Sequence, residues 1–221
     1  MTMTLLLVLA WGTLTALDLV AFGQFMIGRP LVAGTVAGYI VGDPAAGALV
    51  GGLLELYALE TLAVGGARYP DFGPAAVAGA VALAHAPVAL ALGLAGGLGL
   101  VVAWLGEWSI IGLRRSTTRA VRARAAELDA GDRRILVRVH LGGIARDTVR
   151  GAVLTAVGLL GAWGIRAYPL LDARPATAVT VAVVGAGLGT ALVAAVRLAG
   201  RTRRLAWLAL GILTGTGWVL L

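Results

Sequence analysis

Asp18, Asp43, Glu55, Glu60 and Asp71 are the carboxylates of the first 105 residues, accompanied there only by Arg29 and Arg68. All five acids stand in or beside long apolar runs. A charge at a bilayer centre costs at least about 2.5 kcal/mol, so each acid is expected to face a cavity or a partner. Their oxygens can bind a cation, relay a proton, or receive neighbouring hydroxyls of a sugar-like solute. Gln24 adds an amide that donates and accepts at once. Glu55, inside an apolar helical run, is the acid best placed for such chemistry. Glu60 follows five positions later, about 140° around a helix, so the two do not form a paired-carboxylate site on one face. Asp43 lies in Gly42-Asp43-Pro44, where turn chemistry makes helix capping its expected role. Arg29 is expected to pair with an acid or to anchor at the headgroups. His85, just before Ala86-Pro87, is either a proton relay or a group that satisfies a carbonyl at a helix break, the second being the expected case. His140 is expected at an interface.

The elements that position these groups follow from hydropathy. The chain has 221 residues, 59% hydrophobic and 13% charged, with a mean hydropathy of +0.92. Soluble domains carry about 25% charged residues, so the bilayer must solvate much of this surface. A membrane helix needs roughly 20 apolar residues, which Met3 to Phe22 supplies. That segment lacks the basic start and small-residue cleavage site of a signal peptide, and is expected to be a retained span. Leu31 to Val64 is too long for one span and is interrupted at Gly42-Asp43-Pro44, predicting a re-entrant or broken helix. Such backbone survives at membrane depth only when buried in protein or facing a wet cavity. Ala75 to Leu105 contains Pro87, which cannot donate a backbone hydrogen bond, so a kink or break is expected there. The Gly- and Pro-rich stretch from Gly65 to Pro74, with Pro70 before Asp71, reads equally as an outer loop or as a non-helical lining of a binding site.

Residues 106–150 change character, holding ten arginines and five acids. Arg114 to Arg138 is expected to be a surface helix followed by a turn at Asp129-Ala130-Gly131-Asp132. Three spans should follow: Gly151 to Leu171, Ala176 to Leu198 and Leu205 to Leu221. The fold expected is thus all-α, a polytopic integral membrane protein with broken or re-entrant helices in its N-terminal half. Its parts are an acidic membrane region (1–105), a basic amphipathic region (106–150) and a plainer three-span region (151–221). The central basic region and the Arg197-Arg201-Arg203-Arg204 cluster flank the same side of the span pair between them, which should be cytoplasmic.

Composition also excludes. Without cysteine there is no disulfide, thiolate chemistry or Cys metal site, and two histidines make a His-rich metal site unexpected. Walker, GxSxG and HExxH signatures are missing. The Gly185-to-Thr190 run resembles part of a dinucleotide loop, but inside a membrane span helix packing explains it better. The arginine-rich stretch suits anionic lipid or a protein partner; no nucleic acid partner, metal or other cofactor is expected.

The order of motifs resembles a known family. Arg29-Pro30-Leu31, then Gly42-Asp43 with Gly47, then Gly51-Gly52-Leu53-Leu54-Glu55, then Pro70-Asp71, is similar to the enzyme IIC subunit of the mannose/fructose/sorbose phosphotransferase family. Arg133 to Arg150, with His140, also looks like that family's central amphipathic region. The resemblance implies a sugar-translocating subunit of the bacterial plasma (inner) membrane. It implies a hetero-oligomer with a IID membrane subunit, and sugar phosphorylation by cytoplasmic IIA and IIB phosphocarriers rather than by this chain. Gln24, Glu55 and Asp71 fall on family motif positions and are expected in the sugar path, with Glu60 a further candidate. Arg29, Pro30, Gly42, Asp43 and Pro70 are expected to shape the turns. Gly28 stands where relatives often carry a polar residue, Glu60 where they carry a small one, and Leu221 ends the chain one hydrophobic segment early. Two other readings stay open: a non-transporting scaffold or regulator derived from such a permease, and an ion-coupled carrier using Asp18 and Glu55.

Overall fold

Two interruptions, Gly42-Asp43-Pro44 and His85-Ala86-Pro87, decide where the N-terminal helices stop. The computed structural model describes residues 2–21, 23–61, 68–167 and 172–198. These form α1 (Thr2–Val20), α2 (Pro30–Val41), α3 (Pro44–Ala58), α4 (Phe72–Leu83), α5 (Val88–Arg122), α6 (Ala125–Asp129), α7 (Arg133–Ala167) and α8 (Ala173–Leu198). Four of them, α1, α5, α7 and α8, are long and apolar enough to cross a membrane. The chain is a multi-pass, all-α membrane protein. The expected span Leu205 to Leu221, with Arg201, Arg203 and Arg204, lies outside the described residues.

Helices α2 and α3 form a hairpin. Each starts on a proline, whose missing N–H would have had no helical partner anyway. Gly42 ends α2 with φ 86°, a left-handed conformation cheap only for glycine. The Asp43 N–H then donates to the Gly38 carbonyl at 2.8 Å, and Asp43 Oδ1 accepts from Ala46 N at 3.0 Å. Asp43 is thus the N-cap of α3. With 12 and 15 residues the arms reach about 18 and 22 Å, short of the ~30 Å hydrocarbon core. The two arms fold back on each other, so the hairpin starts and ends on the same side of the bundle. Its arms touch backbone to backbone: a Cβ on Gly34 would lie 2.7 Å from the Gly47 carbonyl oxygen, and one on Gly51 would lie 2.6 Å from that of Pro30. Replacing Asp43 by alanine should cost about 1 kcal/mol, the usual value of an N-cap, and Asp43→Asn much less. Thermal unfolding in detergent checks this; equal midpoints for all three proteins would deny the cap.

The small residues of α4 explain its position. Of its residues only Val81 escapes full burial, as expected of a helix apolar all round. Gly73 abuts Thr15 of α1, Gly79 abuts Val50 of α3 and Ala95 of α5, and Ala78 abuts Gly158 of α7. Glycine and alanine permit these close approaches. At the far end of α4, His85 takes φ 59°. Its N–H donates to Asp43 Oδ2 at 2.8 Å and its Nε2 lies 3.1 Å from the Val41 carbonyl oxygen. The two interruptions therefore meet. Arg166 of α7 donates to the carbonyls of Val81 and Ala84, which α4 leaves unpaired at its C-terminus.

Two boundaries differ from expectation. Helix α5 does not stop near Leu105; it continues as one helix to Arg122. Helix α7 likewise begins at Arg133, not Gly151. Arginine is a good helix former, and residues 106–122 hold no proline, so polarity changes there while the helix does not. The turn at Asp129-Ala130-Gly131-Asp132 falls where expected, with Asp132 capping α7 through the Arg134 N–H at 2.8 Å. Gly93 meets Thr180 and Gly96 meets Val183, so α8 runs parallel to α5. The ends bearing Arg122, Arg133 and Arg197 thus share one side. Helix α1 also runs toward that side: Thr4 and Leu5 line a cleft with His85 and Arg166, while Ala16 reaches Arg150. Exposed Trp104 and Trp108 on α5, and Trp163 on α7, suit the two interfacial belts of a bilayer. Ser109 bonds Arg150, so Trp108 stands level with Arg150 and roughly 20 Å from Trp163 along α7.

Candidate functional site

Asp71 immediately precedes α4, and its N–H donates to the Ala103 carbonyl of α5 at 3.0 Å. That bond carries its side chain into the bundle, where it is 0% exposed. Gly106 permits the approach, since a Cβ there would collide with Asp71. Asp71 Oδ2 accepts from Arg150 Nη1 at 2.8 Å, and Arg150 Nε donates to Asp147 Oδ1 at 2.6 Å. Asp147 and Arg150 are three apart on α7, a spacing that puts them on one face. Arg150 also donates to Ser109 Oγ at 3.2 Å and to the Ala16 carbonyl at 3.4 Å. One guanidinium thereby joins α1, α4, α5 and α7.

The cluster is not saturated. Asp71 Oδ1, Asp147 Oδ2, and Nε and Nη2 of Arg146 are buried with no hydrogen-bond partner among the described residues. A buried polar atom left unpaired costs about 1–3 kcal/mol. Two carboxylates face one guanidinium within the triad, so it carries more acceptor oxygens than the guanidinium engages. Such atoms suit hydroxyl donors of a neutral solute.

A second polar node lies across α1. Asp18 Oδ1 accepts from Phe25 N at 2.6 Å and its Oδ2 from Gly28 N at 3.1 Å, clamping the segment before α2. Gln24 and Met26 in that segment take positive φ, 54° and 64°, and the Gln24 side chain is exposed. Arg29 pairs with Glu55, and Glu55 Oε2 accepts from Leu31 N at 3.2 Å. A carboxylate at the start of α2 also meets the positive end of its dipole. Thr15 binds the two nodes together: a Cβ at Gly28 would lie 2.8 Å from its carbonyl oxygen and one at Gly73 2.9 Å from its Oγ1.

Of the acids singled out in the sequence, Asp71 and Glu55 therefore anchor neighbouring nodes, with Gln24 at the rim of the second. Arg29 and Pro30 open α2, Gly42 and Asp43 form the hairpin tip, and Pro70 leads into Asp71. Glu60 stands apart, paired with Arg197 of α8 at 2.8 Å. Asp18, a coupling acid in the ion-carrier reading, accepts two backbone N–H groups. Sequence reasoning missed Asp147, Arg150 and Ser109. The available signal was an acid and an arginine three apart, just ahead of the apolar run at Gly151, but it was absorbed into the basic region. Among the described residues, no group of three or more metal-ligating side chains is placed to hold a metal.

Residues 2–168 match the family model described as the sorbose-specific IIC component of the phosphotransferase system (PTS). The sorbose-specific EIIC component of Lacticaseibacillus casei is 25% identical over 79% of this chain and 62% of its own length. The sorbose-specific component of Klebsiella pneumoniae is 31% identical over 59% of this chain and 48% of its own. The mannose-specific component of Escherichia coli (strain K12) is 26% identical over 69% of this chain and 56% of its own. The chain thus spans about half to three fifths of the length of these curated relatives. Two solved structures share the fold. One, a membrane protein, has a TM-score of 0.77 at 20% identity. The mannose transporter ManYZ in complex with microcin E492 has a TM-score of 0.65 at 23% identity. Each alignment covers 98% of this chain and 87% of the other.

Proposed function

Because the chain belongs to the sorbose-specific IIC family of the sugar phosphotransferase system, we propose that it is the sugar-conducting subunit of a bacterial inner-membrane permease. The buried Asp71–Arg150–Asp147 cluster, with two acceptor oxygens unpaired, is the observation that carries this reading. Hydroxyls of the sugar donate to Asp71 Oδ1 and Asp147 Oδ2, and Arg150 keeps both carboxylates in place. Glu55 and Gln24 supply the neighbouring part of the path, and Glu60 with Arg197 stands toward its exit.

The arginine-rich side is assigned to the cytoplasm by the positive-inside rule, which puts the start of α1 outside. The re-entrant hairpin then opens toward the cytoplasm, where a IIB phosphocarrier, charged by IIA, would phosphorylate the sugar. A IID subunit would complete the membrane complex. In this division residues 1–105 carry most of the path, 106–150 the cytoplasmic face together with Asp147 and Arg150, and 151–221 the flanking spans.

Asp71→Asn and Glu55→Gln test the path in a complex reconstituted with its partner subunits. Loss of a charge-assisted hydrogen bond costs about 1.5–3 kcal/mol, so phosphoenolpyruvate-dependent sugar uptake per folded protein should fall about tenfold or more. Unchanged uptake and affinity in both variants would remove these residues from the path. Uptake by the unaltered chain without any phosphoryl donor would favour an ion-coupled carrier instead.

A further inference from the structure

Several arginines of the described residues hold carboxylates: Arg29 with Glu55, Arg124 with Glu127, Arg150 with Asp71 and Asp147, Arg197 with Glu60. The cytoplasmic end of α5 gathers several more. Arg114, Arg115, Arg119 and Arg122, with Arg68 from the segment before α4, line a solvent-open pocket of about 460 Å³. Its other lining residues, Ile111 and Thr118, are uncharged. The α5 positions recur at helical spacing, so they form one wall. Like charges four apart on a helix, as Arg115 and Arg119 are, repel one another, and the described lining residues include no carboxylate.

The wall is held in place. The Arg114 guanidinium lies 5.3 Å from the centre of the Tyr69 ring, and Tyr69 is buried two residues from Asp71. The tryptophans of α5 give a gauge of its height. The exposed Trp104 and Trp108 mark an interfacial belt, and Arg115 stands about 10 Å beyond Trp108 along the helix. That is the depth of lipid phosphates and of solutes leaving the membrane.

We propose that this pocket is a binding site for a phosphate group, carried by an anionic lipid headgroup or by a free phosphate ester. Planar guanidinium forks match phosphate oxygens in pairs, and a bound phosphate removes the repulsion along the wall. Since Tyr69 leads into Asp71, the site also adjoins the segment that carries the buried carboxylate.

The test uses the full chain in a neutral detergent, followed by thermal unfolding at matched ionic strength. Probes are short-chain phosphatidylglycerol, short-chain phosphatidylcholine, glycerol phosphate and inorganic phosphate. Saturable protection is expected, raising the midpoint by about 3–5 °C near saturation. The double substitution Arg115→Gln/Arg119→Gln should weaken half-saturation at least tenfold. The pair Arg133→Gln/Arg134→Gln, on the exposed start of α7, should leave it unchanged. Protection by glycerol phosphate or inorganic phosphate identifies a site for the phosphate alone. Protection by phosphatidylglycerol only identifies a lipid site. If no probe protects saturably, if phosphatidylcholine protects as well as phosphatidylglycerol with no free phosphate acting, or if both substituted pairs lose protection equally, the proposal is overturned. Should the double variant fail to fold, Arg122→Gln carries the same comparison.

Discussion

Replacing Arg150 by leucine is expected to cost this protein most of its folded population. Among the described residues Arg150 is the cation bonded to both Asp71 and Asp147, and the two carboxylates are 0% and 1% exposed. Removing one partner of a buried pair costs about 3–5 kcal/mol, because the remaining charge has neither water nor a counter-ion. Here two carboxylates would be stranded, and α1 and α5 would lose their bonds from the same guanidinium. Against a total stability of about 5–15 kcal/mol the loss is severe. The measurement is the yield of monodisperse protein and its unfolding midpoint in detergent. A triple variant, Arg150→Leu with Asp71→Asn and Asp147→Asn, should recover much of the loss. Replacing a whole ionic set by neutral groups is often close to neutral. Arg150→Lys should fall between, since an ammonium cannot span both carboxylates as a fork does. A single Arg150→Leu protein that melts like the unaltered one would show that the cluster does not hold the helices together.

The second large effect is expected at Gly47. A Cβ there would meet the Gly34 carbonyl oxygen and lie 2.8 Å from the Gly38 Cα. Backbone cannot swing aside as a flexible side chain can. Overpacking of this kind costs about 1–3 kcal/mol or more, and leucine would add its branched end to the clash. Prying the hairpin open moves Asp43 at its tip and Glu55 on its second arm together. Gly47→Leu should therefore lower the unfolding midpoint and, on the function proposed above, abolish phosphoenolpyruvate-dependent sugar uptake. Gly97→Ala is the control: a Cβ there meets nothing within 4 Å. A glycine-to-alanine change at a compatible helical position stabilises by about 0.4–1 kcal/mol. Wild-type uptake by Gly47→Leu would mean that the arms need not touch.

Much of the helical plan was legible because it rests on local chemistry. Proline removes a donor wherever it stands, and a left-handed residue after a helix is most cheaply glycine, so Gly42-Asp43-Pro44 and His85-Ala86-Pro87 announced their breaks. The stops of α5 and the start of α7 were misjudged because a change from apolar to arginine-rich sequence was taken for a helix end. Hydropathy reports which solvent a helix meets, and the backbone hydrogen-bond ladder runs on through the change. The candidate site was half legible. Asp71 and Glu55 stood out as acids that an apolar run must explain, but Glu55's bond to the N-terminus of α2 and Asp71's to Arg150 could not be read from spacing.

The acids opened the reading of this chain, and their types and their cost in an apolar setting were matters of sequence alone. So were the membrane solvent, the all-α class and the break at Gly42-Asp43-Pro44, each a consequence of residues within a few positions of one another. The partners of those acids were decided only in three dimensions. Asp71 and Arg150 are separated by 79 positions and Glu60 and Arg197 by 137. Which carboxylate meets which arginine depends on the rotation and depth of each helix against its neighbours. Those are set by where glycines such as Gly34, Gly47, Gly79 and Gly106 let two backbones or a backbone and a side chain come close. Contact geometry of that kind belongs to pairs of helices, and no single stretch of sequence contains it.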